Sequence, residues 1–305
     1  MLLIFSKMLT IALLLAIGVL VYRLGIVSHA GSRELSALIV KVCCPIMIIS
    51  NALSDESILT VGTLGTALAV CLFIYLAFIG LGYLVPRVIG VAEKERPSYL
   101  MLSLFGNAGF IGIPVSLSVL GPASMPYVIV FNVMYNIFFY TYGHQVISKA
   151  VEQPIPIKLS SMVNAGTVSC FIALAIYLFR ISVPEVLGQT LSYVSGSTTF
   201  LSMLVLGITL ATTPMKTVLA DPRIYVFDVV RILIFPILLA LVLRIFLPDP
   251  MMVSALVLMA AMPAGNLAVM LASQYGMNTD TLTSGIITST LLCLLTIPAV
   301  SFFFP

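Results

Sequence analysis

Two short stretches of the chain combine helix-breaking residues with amides that can bind an ion. The first reads NAGFIGIP, from Asn107 to Pro114, and the second reads MPAGN, from Met262 to Asn266. Proline lacks a backbone donor and glycine leaves the helical conformation cheaply, so each stretch frees backbone N–H and C=O groups. Freed N–H groups at the start of a helix suit an anion, and freed carbonyls at its end suit a cation. Each stretch is either such a site or only a kink, and the occurrence of two favours a site.

Three charged residues lie inside apolar runs and could also handle ions. Lys41 stands in LIVKVCCPIMIISN, where it either attracts an anion, replaces a bound cation, or extends its amine to the membrane surface. Asp228 and Arg231 are three residues apart, which places them on one face of a helix. They form either an internal ion pair or a site at which the carboxylate takes up a proton or a cation.

The other chemistry-bearing residue types form no recognisable centre. All five cysteines lie in apolar runs without a C-x-x-C pair, which is typical of small core residues. The two histidines, His29 and His144, are far apart in sequence, and no hydrolase, zinc-protease or P-loop motif occurs. The sequence therefore predicts neither an enzyme nor a metal centre, and it calls for no cofactor. A net charge of +3 is too small to indicate nucleic-acid binding.

The elements that position these residues are membrane helices. The 305 residues are 61% hydrophobic and 8% charged, whereas a soluble domain carries about 25% charged residues. A membrane span needs about 20 mostly apolar residues. Charged or turn-rich breaks divide the chain into ten such segments, which we place at 5–25, 34–53, 60–87, 98–120, 126–148, 160–180, 186–211, 223–247, 251–274 and 280–303.

Lysine and arginine are shared unevenly between the two sets of loops. The loops after odd-numbered spans hold Arg23, Arg33, Arg87, Lys94, Arg96, Lys149, Lys158, Lys216 and Arg223. The opposite side holds only Lys7, Arg180 and Arg244. Because short cytoplasmic loops are enriched in basic residues, this bias predicts both termini outside the cytoplasm. Ten spans with a polar linker at 148–160 predict two five-helix halves, 1–150 and 151–305, of opposite orientation.

The first break with its flanks, GNAGFIGIP, and the closing block AAMPAGNLAVMLASQYGMNTDTLTSGIITSTLLCLLTIP resemble the auxin efflux carrier family. The resemblance covers essentially the whole chain, and the short midpoint linker is similar to that of bacterial permease or malonate-transporter-like members. It implies an all-α polytopic fold of ten transmembrane helices in two inverted repeats, with broken helices 4 and 9 crossing at the midplane. It also implies a scaffold of helices 1, 2, 6 and 7, a transport domain of helices 3–5 and 8–10, and a homodimer through the scaffold.

The resemblance further implies that small organic anions bind beside this crossing. Carried over to this sequence, the site comprises Asn107, Gly109, Pro114, Asn132, Asn136, Pro263 and Asn266. Asn132 and Asn136 are four residues apart on span 5, so their amides share one face. The polar residues of helices 2 and 5 differ from those of plant members, so recognition of an aromatic auxin is not supported.

Together with the two breaks, the resemblance implies a secondary transporter in the bacterial cytoplasmic membrane that moves a small organic anion, a carboxylate, by elevator-type alternating access. Its predicted partners are the anion, the bilayer and a second copy of the chain, and coupling to Na⁺ or H⁺ is left open. The alternatives are a sodium-coupled symporter of bile-acid-like anions and a membrane ligand sensor that does not transport.

Overall fold

The computed structural model describes residues 2–54, 60–155, 163–212 and 221–304. Within these ranges every regular element is a helix, which confirms the predicted all-helical class. Part of the midpoint linker lies outside the described residues, together with Lys158 and Lys216, two of the basic residues behind the predicted orientation.

The helices of the first 150 residues include two that are joined through a π turn to the next helix. In chain order they are α1 (Leu2–Arg23), α2 (His29–Leu38), α3 (Cys44–Ser54), α4 (Val61–Val88), α5 (Arg96–Leu104), α6 (Ile113–Leu120), α7 (Met125–Phe138) and α8 (His144–Ala150). The π turns are Ile39–Cys43 between α2 and α3, Ala108–Gly112 before α6, and Phe139–Gly143 between α7 and α8. Short 3₁₀ turns precede α5 and α7, at Glu93–Glu95 and Pro122–Ser124.

The described helices after residue 150 follow a similar pattern, with one long interruption near the end. They are α9 (Ala165–Phe179), α10 (Glu185–Thr212), α11 (Pro222–Val229), α12 (Phe235–Phe246), α13 (Pro250–Ala260), α14 (Leu267–Gln274) and α15 (Asp280–Ser301). A π turn at Val230–Ile234 joins α11 to α12.

Six helical stretches in the described part of the chain are long and apolar enough to cross a membrane. They are Ala30–Leu53, Val61–Val88, Pro122–Ala150, Glu185–Thr212, Pro222–Phe246 and Asp280–Ser301. Four shorter apolar helices cover Leu9–Arg23, Ala108–Leu120, Ala165–Phe179 and Pro250–Ala260. Each predicted span overlaps one of these stretches. For spans 4 and 9 the overlap covers one part only, because a break divides each of them in the middle. The arrangement as ten crossings in inverted repeats stays a prediction.

Prolines explain three of the π turns. Pro45, Pro114 and Pro236 each stand two residues after the last residue of a π turn. Proline has no N–H to donate and its ring clashes with the carbonyl four residues earlier, so an unbroken α-helix would be strained there. The residue before each proline donates instead across the wider π turn, as Ile113 N does to Ala108 O. The helix continues past the proline with one residue inserted.

The helices pack in two sets of neighbours. In one set, α1 and α3 pack against α10, and α3 also packs against α9. In the other, α4 packs against α5 and α7, α13 packs against α7, and α15 packs against α5 and α11. The contact of α7 with α9 joins the two sets. The closest approach in the first set is between Gly18 of α1 and Gly207 of α10, because a Cβ on Gly207 would lie 2.2 Å from Leu15 O. Only glycine permits this backbone contact.

The outer surface carries many large apolar side chains. Val88 is 85% exposed, Tyr193 is 83% exposed and Val186 is 79% exposed. Apolar surface on this scale suits contact with lipid rather than with water. All five cysteines are free and buried, which confirms their prediction as small core residues.

Candidate functional site

The two predicted breaks lie against each other. The first interruption falls at Phe105–Asn107, at the start of the predicted stretch Asn107–Pro114 rather than at its proline. We call Phe105–Asn107 the first break and 261–266 the second break. Gly106 and Ala264 form an isolated antiparallel bridge, which we call the crossing. Asn107 N donates to Pro263 O at 2.6 Å, and Gly265 N donates to Phe105 O at 2.8 Å. Backbone groups that each break removes from its own helix are therefore satisfied by the other break, as a membrane interior requires.

Small residues make this contact possible. A Cβ on Gly265 would lie 3.1 Å from Gly106 O, and a Cβ on Gly106 would lie 2.8 Å from Arg231 Nη2 and 3.4 Å from Met262 O. The backbones of the two breaks and one guanidinium group therefore fill the space around Gly106. By contrast, a Cβ on Gly109 would meet nothing within 4 Å. Close packing therefore does not require a glycine at position 109.

Asn107 caps the half-helix that follows the first break. Its Oδ1 accepts from Phe110 N at 3.1 Å, at the start of the π turn that leads into α6. An N-terminal cap of this kind satisfies one of the orphan donors of a helix start. The Asn107 side chain is half-buried, and its Nδ2 has no hydrogen-bond partner among the described residues. The Nδ2 amino group of Asn107 is therefore free to donate to a ligand.

Asn266 occupies the equivalent place before α14 but does not cap it. Its side chain makes no hydrogen bond to the helix and is exposed. Pro263 is buried within the second break, and the neighbouring Ala264 N donates to Ser289 Oγ at 3.1 Å. The N-terminal end of α14 thus lies beside the crossing with an uncommitted amide side chain. Pro114, the remaining predicted proline, is buried in the first turn of α6, seven residues beyond Asn107.

The two asparagines of span 5 use their amide N–H groups within their own helix. Asn132 Nδ2 donates to Val128 O at 2.9 Å, and Asn136 Nδ2 donates to Asn132 O at 2.8 Å. Asn132 is buried and Asn136 is half-buried. Both lie on α7, as predicted, and their role in the binding site stays a prediction.

Asp228 and Arg231 do not form an ion pair, which was one of the two roles predicted for them. The ion pair found in the described part of the chain joins Arg223 Nε to Asp221 Oδ1 at 3.6 Å, at a partly exposed helix start. Arg231 lies within the π turn at Val230–Ile234 that separates α11 from α12. Asp228 instead accepts a short hydrogen bond from Thr288 Oγ1, and its Oδ1 has no partner in the described structure. The three-residue spacing therefore does not produce the ion pair, and uptake of a proton or a cation by Asp228 stays a prediction.

Arg231 binds the backbone of the two broken helices. Its Nε donates to Ser103 O at 3.3 Å, at the end of α5. Its Nη1 donates to Ala260 O at 3.4 Å and makes a short hydrogen bond to Met262 O, at the end of α13. The guanidinium carbon lies 5.0 Å from the centroid of the Phe78 ring. Arg231 is 1% exposed, so this cation is enclosed by protein.

Lys41 lies in the π turn between α2 and α3, and its side chain is exposed. Gly109 and Arg231 also lie in π turns. Single π turns within α-helices are frequent at functional sites. Three residues that the sequence singled out thus share this local feature, although Lys41 has no described contact with the crossing.

Two cavities are present away from the crossing. One of about 460 Å³ is lined by Ile26, Val27, Ser28, Gly31, Glu34, Leu35 and Leu38. The other, of about 220 Å³, lies between the ends of α4 and α8 and includes Arg87, Arg96 and Lys149 among its lining residues. Neither cavity is lined by a residue of the predicted anion site.

A protein-family model matches almost the whole chain. The model, described as a membrane transport protein, covers residues 3–301. The chain belongs to this family. Its resemblance to the auxin efflux carriers, inferred from the two breaks, is thereby confirmed, and the chain is an integral membrane transporter.

Two archaeal relatives carry only general names. An uncharacterised transporter of Methanothermobacter thermautotrophicus is 23% identical over 306 residues, which cover 96% of each chain. An uncharacterised transporter of Methanocaldococcus jannaschii is 26% identical over 217 residues, which cover 68% of this chain and 69% of the relative. Both names agree with the membrane transport family and specify no substrate.

The sequence analysis missed two polar residues of α15 that contact Asp228 and the second break. Thr288 contacts Asp228, and Ser289 accepts from the second break. Both lie in the stretch TSGIITST, which is rich in serine and threonine for a buried membrane helix. Side-chain hydroxyls satisfy freed backbone groups where a neighbouring membrane helix is broken. This composition was the available signal.

Proposed function

We propose that this member of the membrane transport family moves a small organic anion, a carboxylate, by elevator-type alternating access. The observation that carries the proposal is the pairing of the two breaks at the crossing. It brings the N-terminal ends of two half-helices next to each other, since Gly265 lies against Asn107. Each such end carries a partial positive charge and free N–H groups, which together favour a negatively charged ligand.

The two kinds of helix end at the crossing are not equally available. The C-terminal ends of α5 and α13 are covered by the Arg231 guanidinium group. The N-terminal ends carry Asn107, whose Nδ2 is uncommitted, and Asn266, whose side chain is exposed and makes no described hydrogen bond. Donors therefore remain open while acceptors are occupied, and this favours an anion over a cation as the ligand. A carboxylate has two acceptor oxygens, so it can accept a hydrogen bond from an amide on each of the two helix ends.

The packing of the helices supports a moving and a fixed part. The set containing α1, α3, α9 and α10 corresponds to the proposed scaffold of helices 1, 2, 6 and 7. The backbone contact between Gly18 and Gly207 leaves little room for sliding within that set. The other set carries both breaks, so its movement would carry the bound anion across the membrane. We extend the proposal to a homodimer that forms through the scaffold. The protein lies in the cytoplasmic membrane of a bacterium, with both termini on the side away from the cytoplasm.

Uptake of labelled carboxylates into proteoliposomes tests the proposal. Asn266→Ala removes the exposed amide without removing a described hydrogen bond, so we expect folding to be unchanged and saturable uptake to be lost. Gln274→Ala, an exposed amide at the other end of α14, is the matched control and is expected to transport normally. Anion binding without uptake would favour a sensor, and equal uptake by both variants would remove Asn266 from the site.

A further inference from the structure

We propose that the Arg231 guanidinium group takes the place of an inorganic cation at the crossing, so that transport needs no metal cation bound there. This inference rests on the proposed transport function and specifies how the crossing is neutralised. It starts from three carbonyl groups, those of Ser103, Ala260 and Met262, which all accept hydrogen bonds from Arg231.

These carbonyls are ones that the breaks deprive of their helical partners. In an intact helix Ser103 O would accept from Asn107 N, but Asn107 N donates to Pro263 O instead. Ala260 O would accept from Ala264 N, but Ala264 N donates to Ser289 Oγ. Arg231 therefore donates to carbonyl groups that lost their helical N–H partners when the crossing formed.

The charge of these acceptors calls for a cation. The C-terminal ends of α5 and α13 meet at the guanidinium group, and each helix end carries a partial negative charge. Two such ends inside a membrane would repel each other unless a positive charge lay between them. Oxygen ligands of this kind can hold a metal cation such as Na⁺ or Ca²⁺, but a guanidinium group also satisfies several of them at once.

Arginine is well suited to be a permanent occupant. It stays protonated under all ordinary conditions, and its planar group presents five N–H donors in a fixed arrangement. The Phe78 ring adds an aromatic face at 5.0 Å, which favours a cation further. Asp228 accepts from Thr288 and forms no ion pair with Arg231, so the guanidinium N–H groups donate to the carbonyls rather than to this carboxylate.

Ion replacement on purified protein in proteoliposomes tests the inference. With Na⁺ replaced by K⁺ or by choline on both sides, we expect wild-type anion uptake to keep the same rate. Sodium is also expected to raise the melting temperature of the wild-type protein no more than choline does at equal ionic strength. A requirement for Na⁺, or a specific stabilisation by Na⁺, would overturn the inference while leaving the proposed transport function intact.

Arg231 variants supply the second arm. Arg231→Met should lower uptake about tenfold or more, because it removes hydrogen bonds from a charged donor to three buried carbonyls. Millimolar guanidinium should restore part of the lost melting temperature of this variant, whereas choline should not. Arg244→Met, at an exposed arginine on α12, is the matched control and should behave like wild type.

A third variant keeps the test decisive if Arg231→Met does not fold. Arg231→Lys retains a cation but loses the planar arrangement of donors, so it should fold, transport more slowly and remain independent of Na⁺. If the lysine or methionine variant transported at the wild-type rate with no stabilisation by guanidinium, the guanidinium group would not be the occupant that neutralises the crossing. The melting-temperature readouts apply even if no tested anion is transported.

Discussion

Gly106 and Ala264 face each other in an antiparallel bridge that joins two interrupted helices of opposite halves of the chain. The bridge turns two sequences that break helices into one structural unit, since each break supplies the hydrogen-bond partner that the other lacks. Substitutions around this unit, and at the close contact of α1 with α10, should therefore have distinct effects on stability and transport.

Gly106→Ala should destabilise the crossing. The added Cβ would lie 2.8 Å from Arg231 Nη2, so the guanidinium group or the second break must shift. We expect a loss of about 1–3 kcal/mol in unfolding free energy, as for other overpacked sites, together with reduced uptake. Gly109→Ala, where the Cβ meets nothing within 4 Å, is the control for stability. Equal melting temperatures for the two variants would contradict the close contact at Gly106.

Asn107 variants should separate capping from ligand binding. Asn107→Asp keeps the Oδ1 acceptor for Phe110 N but replaces the uncommitted Nδ2 donor with a second, negatively charged oxygen. We expect the melting temperature to be retained and anion uptake to be abolished by repulsion. Asn107→Ala removes the cap as well and should cost about 1 kcal/mol of stability. Normal anion uptake by the aspartate variant would exclude Asn107 from the binding site.

Thr288→Val should destabilise the protein by leaving Asp228 without its hydroxyl partner. Asp228 Oδ1 is already unpaired and the residue is 1% exposed, so the loss of Thr288 would leave the whole carboxyl group unsatisfied. The expected cost is about 1–3 kcal/mol, measured by thermal or chemical unfolding in detergent.

Thr296→Val on the same helix is the matched control for this substitution. Thr296 Oγ1 is buried without a hydrogen-bond partner, so its replacement by an isosteric methyl should be neutral or stabilising. A larger loss for Thr296→Val than for Thr288→Val would show that the contact with Asp228 does not stabilise the fold.

Gly207→Ala should separate α1 from α10. Its Cβ would lie 2.2 Å from Leu15 O and 2.9 Å from the Cα of Gly18, and neither backbone can move aside independently. We expect a lower melting temperature and, if this pair belongs to the scaffold, a weaker dimer on size-exclusion chromatography with light scattering.

Gly196→Ala provides the comparison on the same helix, α10. A Cβ at Gly196 meets nothing within 4 Å, so the substitution should stabilise the helix by about 0.5–1 kcal/mol through the lower entropy of the unfolded chain. The opposite signs expected for the two glycines make the pair informative. A stabilising Gly207→Ala would mean that the helices are farther apart than described.

Local sequence patterns sufficed for the helices and for the existence of the two breaks, but placed only the second break correctly. The apolar segments predicted the helical stretches because each span must satisfy its own backbone inside lipid. Proline and glycine marked the second break correctly at Pro263. In the first half the interruption falls at Phe105–Asn107, well before Pro114, because the π turn at Ala108–Gly112 absorbs the missing proline donor.

Local sequence patterns did not predict the hydrogen-bond partners of Asp228 and Arg231. A three-residue spacing predicts a shared helical face, but Asp228 lies in α11 whereas Arg231 lies inside the π turn at Val230–Ile234. The carbonyls that bind Arg231 come from α5 and α13, which are about 128 and 29 residues away in sequence. No local pattern reports a contact between groups this far apart.

The sequence by itself determined that this chain is an all-helical membrane protein with two breaks, because burial in lipid makes hydropathy and helix-breaking residues locally decisive. Only the tertiary structure decided which freed backbone group meets which partner: Asn107 with Pro263, Ala264 with Ser289, and Arg231 with the ends of both broken helices. The reason is physical. A freed donor or acceptor in the membrane must find some partner, but its identity depends on which helices pack beside it.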